Sequence, residues 1–127
     1  MAHPRMYSDD DPYLDDVRRV CLGLPEAVEV EAWGRPTFRA DRGKMFAVFE
    51  GSDEHRYALV FKPEPEERPA LLQDERFYVP KYHGPYGWLS VSLTAGKPDW
   101  TEIEELVTGS YRQVANQRQL RALDADR

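Results

Sequence analysis

The sequence predicts an α+β fold, in which an antiparallel sheet is covered on one face by helices from the two ends of the chain. Residues 14–24 and 100–114 carry apolar side chains at helical spacing, whereas residues 28–62 alternate with a period of two. Short connections between the alternating segments favour antiparallel pairing of successive strands. Amphipathic helices need an apolar surface, so we expect a two-layer sandwich in which both terminal helices pack on one face of a meander of about five strands.

Length and composition agree with one soluble domain. The chain has 127 residues, of which 41% are hydrophobic and 31% charged, and its formal net charge is −6. A chain of this size forms one core. We expect a disordered leader over residues 1–8, a single domain over 9–118 and a frayed C-terminal tail over 119–127. The acidic N-terminus lacks the apolar core of a secretion signal, and no run is long enough to span a membrane, so we expect a cytoplasmic monomer.

The first helix is expected to begin at Asp11-Pro12. Asp11 can accept hydrogen bonds from the free N–H groups of the first turn, and Pro12 suits the first helical position because it lacks an N–H. Apolar residues then follow at spacings of three, four and three, namely Leu14, Val17, Cys21 and Leu24. Cys21 is the only cysteine, which excludes an internal disulfide and a thiolate metal site. We expect it to be a small buried hydrophobic residue.

Five strands are expected after this helix. Their ranges are 28–33, 37–40, 44–50, 56–62 and 88–94. Between the last two, a Pro-rich acidic segment is expected to form a loop and a short helix, followed by an irregular loop over residues 77–87. The final helix is expected to begin at Asp99, with Glu102 completing a capping-box-like pair. Its apolar stripe fades after about Asn116, beyond which we expect the tail to fray or, alternatively, to continue as a charged helix.

Five short segments stand out by their order and spacing. They are WGRPTFR (33–39), KMFA (44–47), FK (61–62), YHGPYGW (82–88) and SYR (110–112). Together they resemble the MmcQ/YjbR family of small bacterial proteins, over about residues 15–115. The resemblance implies a CyaY-like (frataxin-like) fold, no established enzyme activity and no cofactor. A DNA-binding role has been proposed for the family, but the family pattern supplies no agreed catalytic residues.

The candidate site residues lie on the sheet face that is turned away from the helices, and in the loop over residues 82–88 that borders it. We expect this face to be open to solvent. The candidates are Trp33, Arg35, Thr37, Arg39, Lys62, Lys81, His83, Trp88 and Ser90. Arginine and lysine side chains in this set could hold phosphates, while tryptophan rings stack on bases.

These candidates predict a non-enzymatic binding module with DNA as the leading partner. The local charge balance supports this prediction, since residues 33–62 contain six basic and four acidic side chains, and residues 76–97 contain three basic and no acidic ones. Binding through phosphates is expected to be weak and salt-dependent. The alternative is an interaction domain for a small anionic molecule or a protein. It would use the same face, where the aromatic 82–88 loop borders a polar floor at Ser90.

Neither catalysis nor metal binding has strong support in the sequence. His83 could act as a base for Ser90 or Ser92, but no third group is positioned to orient it. Asp11 and Asp15 lie one helical turn apart and could share a cation. The presence of these two carboxylates is explained equally well by their favourable interaction with the positive end of the helix dipole. We therefore assign no catalytic residue and no metal ligand.

Overall fold

A computed structural model describes residues 4–51 and 57–126 of the chain. Within these residues the chain forms six strands, four α-helices and one 3₁₀ turn. Their order is α1 (Leu14–Leu22), β1 (Ala27–Ala32), β2 (Arg35–Ala40), β3 (Met45–Glu50), β4 (Ala58–Phe61), α2 (Arg68–Leu71), β5 (Phe77–Tyr78), the 3₁₀ turn (Gly84–Tyr86), β6 (Leu89–Ser92), α3 (Trp100–Val114) and α4 (Gln117–Ala125). The predicted α+β class is confirmed, and in the described part of the chain no helix is long and apolar enough to cross a membrane.

The strands form one antiparallel sheet in the order β1-β2-β3-β4-β6-β5. The first four strands are the predicted meander, and β6 pairs with β4 because the intervening segment returns the chain to that edge. The additional strand, β5, places Phe77 opposite Val91. It has two residues, which is too short for a period of two to be recognised. The predicted start of β4 at Arg56 lies outside the described residues.

The main core lies between the sheet and the helices α1 and α3. Each strand from β2 to β6 contributes large side chains to it, including Phe38, Phe49, Phe61, Phe77 and Leu89. The helices contribute Leu14, Val17, Cys21, Ile103, Val107 and Tyr111. Cys21 is buried as predicted, and burial raises the pKa of its thiol far above the ordinary value. A reactive thiolate at Cys21 is therefore disfavoured.

Helix α3 is fixed at its N-terminal end by a cap and an ion pair. The Asp99 carboxylate accepts hydrogen bonds from the N–H groups of Thr101 and Glu102 at 3.1 and 3.2 Å, as the sequence predicts for a helix start. The Glu102 carboxylate pairs with Arg76 at 2.7 Å instead of completing a capping box. The pair ties the start of α3 to the residue that precedes β5.

Two neighbouring residues of α3 join it to three other segments. The Ser110 hydroxyl donates to the carbonyl of Phe46 at 2.7 Å and accepts from the N–H of Lys62 at 3.0 Å. The Tyr111 hydroxyl donates to the carbonyl of Pro25 at 2.6 Å. These bonds fix α3 against β3, the end of β4 and the turn that follows α1.

The N-terminal residues differ from the predicted leader and helix start. The N–H of Met6 donates to the carbonyl of Gly34 at 2.8 Å, and the hydroxyl of Tyr7 donates to Glu31 at 3.0 Å. Residues 4–8 therefore lie against the hairpin of β1 and β2. The Asp11 carboxylate accepts from the N–H of Ser8 rather than from a helical N–H, because α1 begins only at Leu14.

The C-terminal residues form a capped helix where fraying is expected from the sequence. The Asn116 side chain accepts from the N–H of Gln119 at 2.8 Å, and the Gln119 side chain accepts from the N–H of Asn116 at 2.9 Å. Leu123 packs into the main core. This reciprocal capping box, with Asn and Gln three residues apart, is the signal that starts α4.

Replacing Asn116 by alanine is expected to lower the free energy of unfolding by about 1 kcal/mol, because the N–H of Gln119 loses its acceptor. Urea unfolding followed by circular dichroism measures the difference. Gln117→Ala is the matched control, since Gln117 is exposed at the first position of the same helix. Equal stability of the two variants would show that the cap does not hold α4.

Candidate ligand-binding groove

The sheet face that is turned away from α1 and α3, here called the second face, is covered at its centre. Trp88 packs on Val48 and Val60 in a small apolar cluster. Thr37 and Ser90 have no exposed surface. This is a correction to the sequence-based picture of a face open to solvent, because the chain folds the end of its 82–88 loop back over the sheet.

A tight hairpin turn carries the first aromatic wall of the site. Trp33 and Gly34 join β1 to β2, with φ values of 54° and 76°, the positive values that a two-residue hairpin turn of type I′ needs. A Cβ at Gly34 would lie 2.1 Å from the carbonyl oxygen of Pro4, so only glycine fits. The Trp33 ring lies edge-on to His83, with their centroids 5.7 Å apart. His83 in turn lies 5.9 Å from the ring of Trp88.

Between this turn and the 82–88 loop lies a groove with a volume of about 580 Å³. Its lining residues are Met6, Trp33, Arg35, Val48, Glu50, Tyr82 and His83. The two large exposed rings are Trp33, at 48% exposure, and Tyr82, at 76%. Among the described residues that line the groove, apolar side chains predominate and polar groups are few, as is usual for small-molecule sites.

Two opposite charges stand at one end of the groove. Arg35 Nη1 donates to the carbonyl of Gly51 at 3.1 Å, which holds the guanidinium near the end of β3. The register pairs Thr37 with Val48, so two residues further along each strand Arg35 and Glu50 become neighbours. Glu50 is half-buried, and its carboxylate has neither a hydrogen bond nor an ion pair to any other residue that the structure describes.

The negative charge of Glu50 also acts on a half-buried neighbour, Tyr78. The pKa of Tyr78 is raised, first by burial and then by the charge of Glu50, while the Ser90 hydroxyl acts in the opposite direction. The Tyr78 hydroxyl therefore remains protonated at neutral pH. The carboxylate of Glu50 is a strong hydrogen-bond acceptor that faces both the groove and the interior of the second face.

Three of the nine predicted site residues line the groove, namely Trp33, Arg35 and His83. Three others lie beside or beyond it. Arg39 is half-buried opposite Val28 on the second face, Lys62 runs past Gly87, and Lys81 is exposed with its Nζ 5.7 Å from the centroid of the Tyr82 ring. These three cations do not share the floor of the groove.

The other three predicted residues are buried and have no surface for a ligand. Thr37 donates its hydroxyl to the carbonyl of Val30, which links β2 to the edge strand. Trp88 belongs to the apolar cluster, and Ser90 is fully buried. All three lie on the predicted face, but none of them lines the groove.

Four lining residues are absent from the sequence-based candidates, namely Met6, Val48, Glu50 and Tyr82. Met6 belongs to the segment for which the sequence predicts a leader. Val48 and Glu50 share the alternation of β3, but the apolar residues on both faces of that strand hide it. Tyr82 belongs to the same loop as His83, and that neighbour is the signal that could have found it.

Among the described residues, the groove contains few side chains that could act in catalysis or bind a metal. His83 is packed between two tryptophan rings, and among the described residues no side chain is hydrogen-bonded to it. In residues 4–51 and 57–126 no three His, Cys, Asp or Glu side chains come together as a metal site. At the N-terminus, Asp9 pairs with Arg18 at 2.9 Å and with Arg5 at 3.1 Å.

The fold and the groove together define a small α+β domain with a ligand-sized depression on one face of its sheet. The chain belongs to the YjbR family, whose model matches residues 22–113. This confirms the resemblance drawn from the sequence motifs. A similar solved structure is that of the Deinococcus radiodurans protein DR2400, which carries a DUF419 domain. It is 22% identical over 87% of each chain, with a TM-score of 0.68, and at this identity the likeness shows the fold. No curated protein gives a significant sequence match.

Proposed function

We propose that the protein is a non-enzymatic binding module that takes a small planar molecule into the groove on the second face. The observation that supports this most directly is that two exposed aromatic rings, Trp33 and Tyr82, line the same groove. The volume of about 580 Å³ falls in the range of small-molecule sites. A flat ligand would stack on these rings and displace water from them.

The energetics of stacking fit this proposal. A base or similar ring that stacks on an aromatic side chain gains about 1–3 kcal/mol per contact. Arg35 and Glu50 add one donor group and one acceptor group at the end of the groove, which would fix the orientation of the ligand. A module of this kind needs no catalytic residues.

DNA binding is the second candidate function. Its support is the loop on which the exposed rings of Tyr82 and Tyr86 flank the groove beside Lys81. Two observations place it second. Trp88 is buried and offers no platform, and none of Arg39, Lys62 and Lys81 lines the groove, so these cations form no common row for a phosphate backbone.

Isothermal titration with four flat probes tests the leading proposal. The probes are AMP, GMP, indole-3-acetate and tryptamine. We expect at least one to bind, and we expect Tyr82→Ala to weaken that binding about tenfold through loss of stacking. Tyr86→Ala is the matched control, because Tyr86 lies on the same loop with a similar exposure of 73% but does not line the groove.

Binding of none of the four at millimolar concentration would refute the proposal, as would an equal loss in both tyrosine variants. A single-stranded oligonucleotide is titrated in parallel at two salt concentrations. Tight binding of the strand alone, with a steep decrease at high salt, would move DNA binding to first place.

A further inference from the structure

We infer that the groove selects a base with the hydrogen-bonding edge of guanine. This inference rests on the proposed function and goes further, because it names the ligand class. Its basis is the half-buried Glu50 carboxylate beside the Arg35 guanidinium, at one end of a groove whose exposed rings are Trp33 and Tyr82. Stacking alone does not distinguish one flat molecule from another, so polar groups must supply the selectivity, and Arg35 and Glu50 are the charged ones among the described lining residues.

Glu50 supplies the acceptors. Its carboxylate is half-buried and lacks a hydrogen-bond donor among the residues that the structure describes. A polar group that is partly removed from water without a partner is unfavourable, so a ligand that donates to it gains more than stacking energy. Guanine presents two adjacent donors, N1–H and the 2-amino group, which match the two oxygens of a carboxylate. Adenine presents an acceptor at N1 and would place a lone pair against the carboxylate.

Arg35 supplies the donor for the remaining position of the same edge. Its Nη1 is held by the carbonyl of Gly51, and a guanidinium has five N–H donors in all. The other donors can reach an acceptor that lies beside the N–H groups bound by Glu50. In guanine this acceptor is O6, next to N1–H, and arginine is a common partner of that atom. A simple organic cation would satisfy Glu50 but would be repelled by Arg35.

The surroundings of the groove fit a ligand that also carries a phosphate. Lys81 is exposed, and its Nζ lies 5.7 Å from the centroid of the Tyr82 ring. A base stacked on that ring would therefore have a cation near its substituents. Both a free guanine nucleotide and a guanine in a single strand have this chemistry, so the test includes both sources.

Titration of the wild-type protein with GMP, IMP and AMP tests the hydrogen-bonding edge directly. We expect GMP to bind about tenfold more tightly than AMP, because charge-assisted hydrogen bonds to the carboxylate are lost in AMP. IMP keeps N1–H and O6 but lacks the 2-amino group, so we expect an intermediate affinity. Oligo(dG) and oligo(dA) single strands are compared in the same way. A tighter complex with GMP than with the dG strand identifies a free nucleotide as the source, and the reverse order identifies the strand.

Glu50→Gln tests the role of the carboxylate, with Glu104→Gln as the control because Glu104 is exposed on α3. We expect Glu50→Gln to weaken GMP binding about tenfold and to leave AMP binding unchanged. Thermal unfolding checks that both variants fold. The ratio of the GMP and AMP affinities of the wild-type protein tests the inference even if a variant fails to fold. If AMP binds as tightly as GMP, the guanine inference is wrong and the planar-ligand proposal stands. If no planar probe binds, both fail.

Discussion

Replacing Tyr111 by alanine is expected to lower the free energy of unfolding by about 3–5 kcal/mol, because a large buried aromatic side chain is lost. The residue is fully buried, and its ring lies edge-on to Phe46 with centroids 5.3 Å apart. Its hydroxyl also donates to the carbonyl of Pro25 at 2.6 Å. The substitution therefore removes packing against β3 and detaches α3 from the turn after α1. Urea unfolding followed by circular dichroism measures the effect.

A second substitution separates the two contributions of this side chain. Tyr111→Phe keeps the ring and removes only the hydrogen bond to Pro25, so we expect a loss of about 1–2 kcal/mol. Tyr86→Ala is the surface control, with an expected change within about 0.5 kcal/mol. If Tyr111→Phe were as damaging as Tyr111→Ala, the hydrogen bond rather than the ring packing would account for most of the stabilisation by this side chain.

Replacing Ser110 by alanine is expected to lower the free energy of unfolding by about 2–4 kcal/mol, although it removes a single oxygen atom. The reason is that two backbone groups lose their partners, the buried carbonyl of Phe46 and the partly buried N–H of Lys62. Each unsatisfied group costs about 1–3 kcal/mol. The same urea experiment measures it, with the exposed Thr101→Ala on α3 as the control. A change below about 1 kcal/mol would indicate that water replaces the hydroxyl.

These two residues also show what a sequence motif can mean. Ser110 and Tyr111 belong to the SYR segment on which the family resemblance partly depends. Their contacts connect α3 to β3, β4 and the turn after α1, so their positions are explained by the fold. A motif with a structural explanation of this kind gives no information about ligands. The groove, in contrast, uses residues from the WGRPTFR and YHGPYGW segments.

The fold was predictable where periodic patterns were long. The apolar spacing was long enough to predict two helices and five strands, namely α1, α3, β1 to β4 and β6. Their predicted bounds differ from the observed ones by a few residues at each end. Strand β5 has two residues and forms only because β6 offers an edge. Helix α4 was predicted only as an alternative to a frayed tail, because its stripe is reduced to a few positions such as Leu123, although its capping box was visible in the sequence.

The site was predictable only in part, because alternation tells which face a side chain occupies and not what covers that face. Trp33 and Arg35, which the period of β2 and its turn put on one face, both line the groove. Thr37 has the same period but is buried. This difference in exposure depends on the packing of Trp88 on Val48, a contact between distant segments that no local pattern predicts.

The backbone conformation of Trp33 has a consequence for selection of heat-stable variants. A tryptophan at a φ of 54° occupies a backbone region that is unfavourable for residues with a Cβ, and asparagine or glycine would relieve that strain. Either replacement would also remove the ring that forms one wall of the groove. A population of variants selected for thermal tolerance alone would therefore lose, through a stabilising change at position 33, the ring on which the proposed ligand would stack. Under the proposed function, stability and recognition compete at this residue, so an engineered heat-resistant form should keep Trp33 and be stabilised elsewhere.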